Sequence, residues 1–541
     1  MASVLRKGGF PPRVTAVWAA LALMALCIVA GQLKVAELLA AGVAGYGLAV
    51  VVSRILAQWS WLVFGLAGVD LLIPEDDRYT LHGASSAGFE LEPWRILMSI
   101  MVVGWIAAVM VDPRVRARKT KFDGPLALIG LAIVGSEAFN AARVTSLSSV
   151  VIKQLTIVVI LMSMLYVLAS VIRTRETVER VLCVLVCAGC VEGFGAMVQR
   201  TTKFNIFDHM HRILPMFTFN LGAEAGAMLR NGHFRAIASA GHPIELANVM
   251  AMLTPIAAYL AIRRGRKWLA AVPFLILGNL SSGSRTGIIG LLVVLVVFLC
   301  MRPRQTFKCW PALIPTLAVV QLLMPGALSG TINAFFPKGG LIAQQSQTFA
   351  AHGQVQQASR LSRLGPQLHG VFAKHNEFFG EGYGTRVIGR TSTKAQTETE
   401  AAQATAADNA QILDDQWLAN LLETGLVGIA AWVWLFARVI RKLGARARLE
   451  RDTREGWLPV ALAASVACYA VTMFFYDAWG FMQGTIMLWL LLGCASALLW
   501  LPPVTARSRR GLILSRSDPD HSGPKRQLRR APVPHSMTAG R

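Results

Sequence analysis

Apolar runs recur along the chain at 14–33, 95–111, 150–172, 179–199, 285–301, 416–440 and 481–500, with short polar or basic stretches between them. Several reach the ~20 residues that a bilayer-spanning helix needs. The pattern predicts an all-α, polytopic integral membrane protein of about 12–14 transmembrane helices. The spans read as 14–33, 35–53, 57–73, 95–111, 124–138, 148–172, 179–199, 243–262, 267–282, 285–301, 310–327, 416–440, 457–475 and 481–500. Residues 14–33 follow Arg6, Lys7 and Arg13, as the core of a signal peptide would. The run is long and more spans follow at once, so it reads as the first span.

Composition agrees. Of 541 residues, 54% are hydrophobic and 15% charged, against about 25% charged in ordinary soluble domains. The net charge of +23 would suggest nucleic acid in a soluble protein. Here Lys and Arg cluster between spans, at 114–121, 173–180, 263–267, 302–308 and 438–454, and in the tail after 506. That is the positive-inside pattern, and no nucleic-acid partner is expected. Placing every basic cluster inside puts both termini in the cytoplasm, and fourteen or twelve spans satisfy that parity. The eight cysteines lie in or beside apolar segments, and Cys187 with Cys190 forms the single CxxC. Neither a disulfide framework nor a metal site is indicated.

Three polar stretches then face outward: 74–94, 200–242 and 328–415. In the last, 354–376 places Leu361, Leu364, Leu368 and Phe372 on one helical face, as a helix lying on a membrane would. Gly380-Glu381-Gly382-Tyr383-Gly384 resembles a phosphate loop but has no strand before it, so it reads as a turn. The chain divides into N-terminal spans (1–199), a core with its outer loop (200–440), C-terminal spans (441–501) and a Pro/Arg/Ser-rich tail (502–541) that reads as disordered. The ionisable residues in or touching spans are Asp70, Glu137, Lys153, Glu192, Glu245, Arg285, Glu423 and Asp477, and all fall in the outer half. A transporter needs such groups near the midplane and toward both faces. The asymmetry therefore points to binding or chemistry at the outer surface.

Between 268 and 301 the apolar run is broken once, by Ser281-Ser282-Gly283-Ser284-Arg285-Thr286-Gly287. An arginine at a membrane helix centre costs about 2.5–3.5 kcal/mol on insertion scales. The hydroxyls and glycines around Arg285 can hydrogen-bond its charge but cannot neutralise it. An anion from outside the chain is the expected partner; an ion pair with Glu245 or Glu423 is the alternative.

Asn279-Leu280-Ser281-Ser282-Gly283-Ser284-Arg285-Thr286-Gly287 resembles a signature of the O-antigen ligase and polymerase superfamily. So does Arg235-Ala236-Ile237-Ala238-Ser239-Ala240-Gly241-His242-Pro243-Ile244-Glu245, which opens a span. A third block joins Phe379-Gly380-Glu381-Gly382-Tyr383-Gly384 to Asp414-Asp415-Gln416-Trp417-Leu418 and Leu422-Glu423-Thr424-Gly425. The resemblance covers roughly 200–440. It implies a bacterial cytoplasmic-membrane glycosyltransferase of the lipid-carrier type, metal-independent and without a cofactor. Such an enzyme takes a glycan from an undecaprenyl-diphosphate carrier on the outer face and passes it to a glycan, lipid or protein acceptor.

Carried over by the resemblance, Arg235 and Arg285 bind the carrier's diphosphate. His242, Glu245, Asp415 and Glu423 complete the expected substrate-binding set, the two glutamates by orienting the arginines. Ligases of the family carry His-Asn where this chain has Asp414-Asp415. If that histidine is a general base, Asp414 takes the role here, since a carboxylate whose pKa is raised by its surroundings can accept a hydroxyl proton. A helix N-cap is the rival reading for Asp414. His242-Pro243 can equally shape a helix start, and His209 and His211 read as interfacial. A polymerase shares every one of these motifs. A transporter or flippase would need polar groups in both membrane halves, and a scaffold would leave the outer arginines without a purpose.

Overall fold

The computed structural model describes residues 59–74, 79–81, 92–111, 116–212, 217–219, 229–230, 233–308, 311, 313–323, 335, 377–385 and 415–504. The expected spans 14–33 and 35–53, the helix at 354–376, Asp414 and the tail beyond 504 lie outside the described residues.

Each expected span from 57–73 onward coincides with a helix. In chain order these are α1 (Trp59–Leu72), α2 (Pro93–Val111), α3 (Asp123–Phe139), the short α4 (Ala141–Ser146), α5 (Ser148–Val171), α6 (Arg175–Thr202), α7 (Pro243–Arg264), α8 (Ala271–Ser281) and α9 (Arg285–Met301). There follow the short α10 (Pro303–Lys308), α11 (Leu313–Leu323), α12 (Gln416–Leu449), α13 (Trp457–Thr472) and α14 (Met482–Trp500). Seven of the described helices are long and apolar enough to cross a membrane. The chain is an all-α polytopic membrane protein, as lipid requires of a backbone whose polar groups must be satisfied internally. Two tiny antiparallel ladders, which the apolar pattern does not predict, lie in the connecting stretches. Tyr79–Leu81 pairs with Phe217–Phe219 and Leu229–Arg230 with His233–Phe234. The first ladder ties the polar stretch after α1 to the one after α6.

α7, α13 and α14 form the centre, α13 and α14 with nearly every residue buried and α7 with most of them, while α2 and α5 leave most of their surface to the surroundings. α6 packs on α1, α7 and α8; α9 on α7 and α13; α12 on α3 and α13; α14 on α5 and α7. Small residues set the close crossings, since apolar side chains gain little by leaving lipid and association rests on packing. A Cβ on Gly278 of α8 would lie 2.8 Å from the Gly193 Cα of α6, and one on Gly287 of α9 would lie 2.6 Å from the Ala247 Cβ of α7.

The two ends of the bundle differ in charge. At one, buried Glu450 accepts from Arg175 Nη2 at 2.7 and 2.8 Å and from Arg446 Nε at 2.8 Å. Arg302 donates into the carbonyls of Arg451, Ala447 and Gly456 there, and Glu179 meets Arg263 and Arg264 at 3.3 and 3.5 Å. Burial and the neighbouring Arg451 pull the Arg302 pKa down from its ordinary value. The opposite end collects the α1, α3, α6, α8, α13 termini and the starts of α7, α9, α12 and α14. All eight ionisable residues picked out in the spans lie toward that end.

Candidate active site

Arg235 precedes α7 on an extended stretch and is 8% exposed. Its Nε donates to the carbonyl of Ser282 at 2.9 Å, and Ala236 N donates to that of Ser281 at 3.0 Å. The stretch that carries Arg235 is thus bonded to the turn between α8 and α9, on which Arg285 stands. In that turn Gly283 adopts φ +60, a left-handed conformation that glycine takes at no steric cost. Ser282 and Ser284 stabilise it locally, Ser282 Oγ donating to Asn279 O at 2.6 Å and accepting from Ser284 N at 3.1 Å. Ser284 is the N-cap residue of α9 but makes no side-chain cap bond. The positive end of the α9 dipole therefore faces the same turn as the two arginines, an arrangement that favours an anion.

His242 caps α7, its Nδ1 accepting from Ile244 N at 3.1 Å, while its ring packs 5.2 Å from that of Phe481. Glu245, fully buried, accepts from Gly241 N at 3.0 Å and Gly484 N at 3.2 Å, joining the start of α7 to that of α14. Asp70 and Glu192 lie buried beside it. Gln483 Nε2 reaches Asp70 O at 2.9 Å and Ser239 Oγ at 3.3 Å. One turn further along α7, Asn248 donates to the Tyr476 hydroxyl at 2.7 Å and accepts from Thr472 at 2.8 Å. Burial holds the Tyr476 phenol well above its ordinary pKa, so it stays protonated.

Asp415 is the N-cap of α12, its Oδ1 accepting from Trp417 N at 2.9 Å and Leu418 N at 3.1 Å. Gln416 follows, with its backbone N bonded to Met473 O at 2.8 Å and its Oε1 accepting from Trp479 N at 2.7 Å. Three residues after Asn420 bonds to Gln416, the helix reaches Glu423 and then breaks at Gly425 (φ 65, ψ −164). The glycine-rich stretch 377–385 is a strap of turns, as expected, with Gly380, Gly382 and Gly384 all at positive φ. Glu381 N donates to Leu422 O at 2.7 Å, Asn140 Nδ2 to Gly380 O at 2.9 Å, and Gly382 N to Ser136 Oγ at 3.1 Å. Glu381 pairs with Arg143. The Glu423 backbone accepts from Ser136 and lies against Gly380. Under the strap a narrow cavity is lined by Tyr383, Asn420, Thr424, Trp432 and Trp479.

The three sequence blocks therefore occupy one end of the bundle. The first two are bonded directly through Arg235 and Ser282; within the third, the strap and α12 are bonded to each other. Several residues that organise this end escape a reading of the sequence: Gln199, Arg200, Ser136 and Gln483. Each acts through a contact distant in sequence, and in the chain each looks like an ordinary helix-end polar residue.

Residues 269–433 match the family model of the O-antigen ligases, which supports an O-antigen ligase and polymerase superfamily assignment. The matched segment contains the 279–287 turn, the strap and the α12 kink. The Arg235 block lies ahead of it and joins it through the Ser281 and Ser282 carbonyls. No curated protein matches the chain.

Proposed function

We propose that the protein transfers a glycan from a lipid diphosphate to an acceptor on the outer face of the bacterial cytoplasmic membrane. The family match supports a ligase- or polymerase-like enzyme of surface polysaccharide assembly in a membrane. The observation that carries the finer reading is the union of Arg235 with the turn that bears Arg285. The Arg235 guanidinium and the N-terminus of α9, whose first residue is Arg285, share one turn at the end of the bundle away from the basic clusters. The positive-inside rule makes the basic end cytoplasmic, and so this end outer.

In the proposed step an acceptor hydroxyl attacks the anomeric carbon of the donor sugar. The new bond is from that carbon to the acceptor oxygen, and the bond that breaks joins it to the phosphate oxygen. The lipid diphosphate leaves with the electron pair, and the hydroxyl proton passes to a base, assigned to Asp414. Charge grows on the leaving phosphate, where groups already fixed in place stabilise it without reorganising. Arginine suits this work because its planar fork binds phosphate oxygens in pairs. The arginines supply the positive charge, and no metal or cofactor is assigned. His242 shapes the entry to α7, Glu245 locks α7 to α14, and Asp415 holds the start of α12, so these act by positioning. Glu423 is assigned the same part at the α12 break.

Removal of the gene tests the reading. Finished chains left on the lipid carrier support a ligase, and unpolymerised repeat units support a polymerase of the same superfamily. Unchanged lipid-linked glycans, with a small solute lost from transport, would favour the transporter class instead.

A further inference from the structure

The structure assigns Arg200, in the last turn of α6, to the site as the residue that positions Arg235; this rests on the diphosphate reading above. Arg200 Nη1 donates to two carbonyls, Phe234 O at 3.2 Å and Ser281 O at 3.1 Å. The first oxygen belongs to the residue before Arg235. The second belongs to the residue before Ser282, whose own carbonyl holds Arg235 Nε at 2.9 Å. Ser281 O thus collects donors from Arg200 and from Ala236 N, and so is bonded on both sides of the turn. Its neighbour Gln199 completes the support, with Oε1 accepting from Ile237 N at 2.9 Å and Ala238 N at 2.7 Å. Ala238 there adopts φ +53, which a residue with a Cβ holds only where its surroundings fix it. The end of α6 therefore grips the Arg235 stretch on both sides of Arg235.

Arginine is suited to this task. A single charged nitrogen bridges two carbonyls, and hydrogen bonds from an ionised donor are stronger than neutral ones. Among the described residues no carboxylate pairs with Arg200, so its charge stays at the turn. A Cβ built on Gly283 would lie 3.4 Å from Arg235 Cγ and 3.8 Å from Arg200 Nη1, so both guanidinium side chains close on one turn. Loss of Arg200 would let the Arg235 stretch separate from the Arg285 turn while leaving both arginines in the chain. Displacements of about 1 Å at such a site are enough to cost two orders of magnitude in rate.

The test uses the full chain in lipid nanodiscs, with undecaprenyl diphosphate and undecaprenyl monophosphate as the two probes. Arg200→Ala is expected to weaken diphosphate binding at least about tenfold and to reduce the preference for diphosphate over monophosphate, which general loosening of the fold would not change. Arg200→Lys, which keeps the charge but not the bridging geometry, recovers only part of that preference. In a double-mutant cycle, Arg200→Ala adds little on an Arg235→Ala background, because residues that share one network are not additive. If Arg200→Ala does not fold, Arg200→Gln, which can still donate to a carbonyl, enters the same cycle. Wild-type preference in the Arg200 variants, or fully additive losses, would overturn the assignment. Wild-type binding in Arg235→Ala and Arg285→Ala would instead overturn the diphosphate reading itself.

Discussion

A Cβ on Gly425 would stand 2.3 Å from the carbonyl oxygen of Phe378, so α12 and the 377–385 strap meet backbone to backbone. The break at Gly425 releases the next N–H groups from the helix ladder, and the strap accepts them, Leu426 N at Glu377 O (2.9 Å) and Val427 N at Phe378 O (3.2 Å). Gly425→Ala meets both a disfavoured φ and a steric clash. The backbone strain alone costs about 1–3 kcal/mol. A lower melting temperature in detergent and faster proteolysis within 377–385 are expected. A wild-type melting curve would show that the strap does not dock there.

Gly287 and Gly130 are both helical glycines with opposite surroundings. A Cβ on Gly287 would fall 2.4 Å from Asn279 Nδ2, which donates to Ala247 O at 2.7 Å, whereas one on Gly130 would meet nothing within 4 Å. Gly287→Ala should push α9 off α7 and lower folded yield. Gly130→Ala should be neutral or stabilising, by roughly 0.5–1 kcal/mol as for a Gly-to-Ala change in a helix interior. Fluorescence-detected size exclusion on heated samples separates the two outcomes.

Asp414 and Asp415 are expected to separate in function. Asp415 carries the N-cap bonds of α12, so Asp415→Ala should cost about 1 kcal/mol of stability while retaining most glycan transfer. Asp414→Asn should leave stability unchanged and lower transfer by about 100-fold or more, as loss of a general base does. Comparing transfer per folded molecule in the two variants checks this; equal losses would end the assignment of the base to Asp414.

At the basic end, Glu450 is 0% exposed and holds Arg175 and Arg446 together. Removing one partner of a buried pair leaves the other charge uncompensated, at about 3–5 kcal/mol. Glu450→Gln should therefore lower the melting temperature sharply without changing transfer per folded molecule. A large loss of specific activity would mean that this end takes part in the reaction.

Among the described residues the helices from 57–73 onward were legible because their apolar runs are long, and the Arg285 turn because polar residues interrupt one. The sorting of ionisable residues to one end followed from the basic clusters. The contacts that build the site were not legible in the same way. Arg200 and Ser136 look like last-turn polar residues, and their partners are 81 and 287 positions away. That the Glu245 carboxylate accepts from the backbone N–H of Gly484, 239 positions away, is not visible in the sequence. Asp415 caps α12, a role that depends on where the helix begins and that the sequence does not single out. Gly425 sits in an apolar, helix-like run, and its break requires the strap to be present.

Arg285→Ala, expressed and inserted at the wild-type level, is the most direct test of the site. Glycan transfer is measured in membranes supplied with the native lipid-linked donor, beside Arg235→Ala. The expected result is loss of transfer by at least about 100-fold in Arg285→Ala, in keeping with removal of one preorganised charge-stabilising group. Full transfer in a normally folded Arg285→Ala protein would contradict diphosphate binding at this turn.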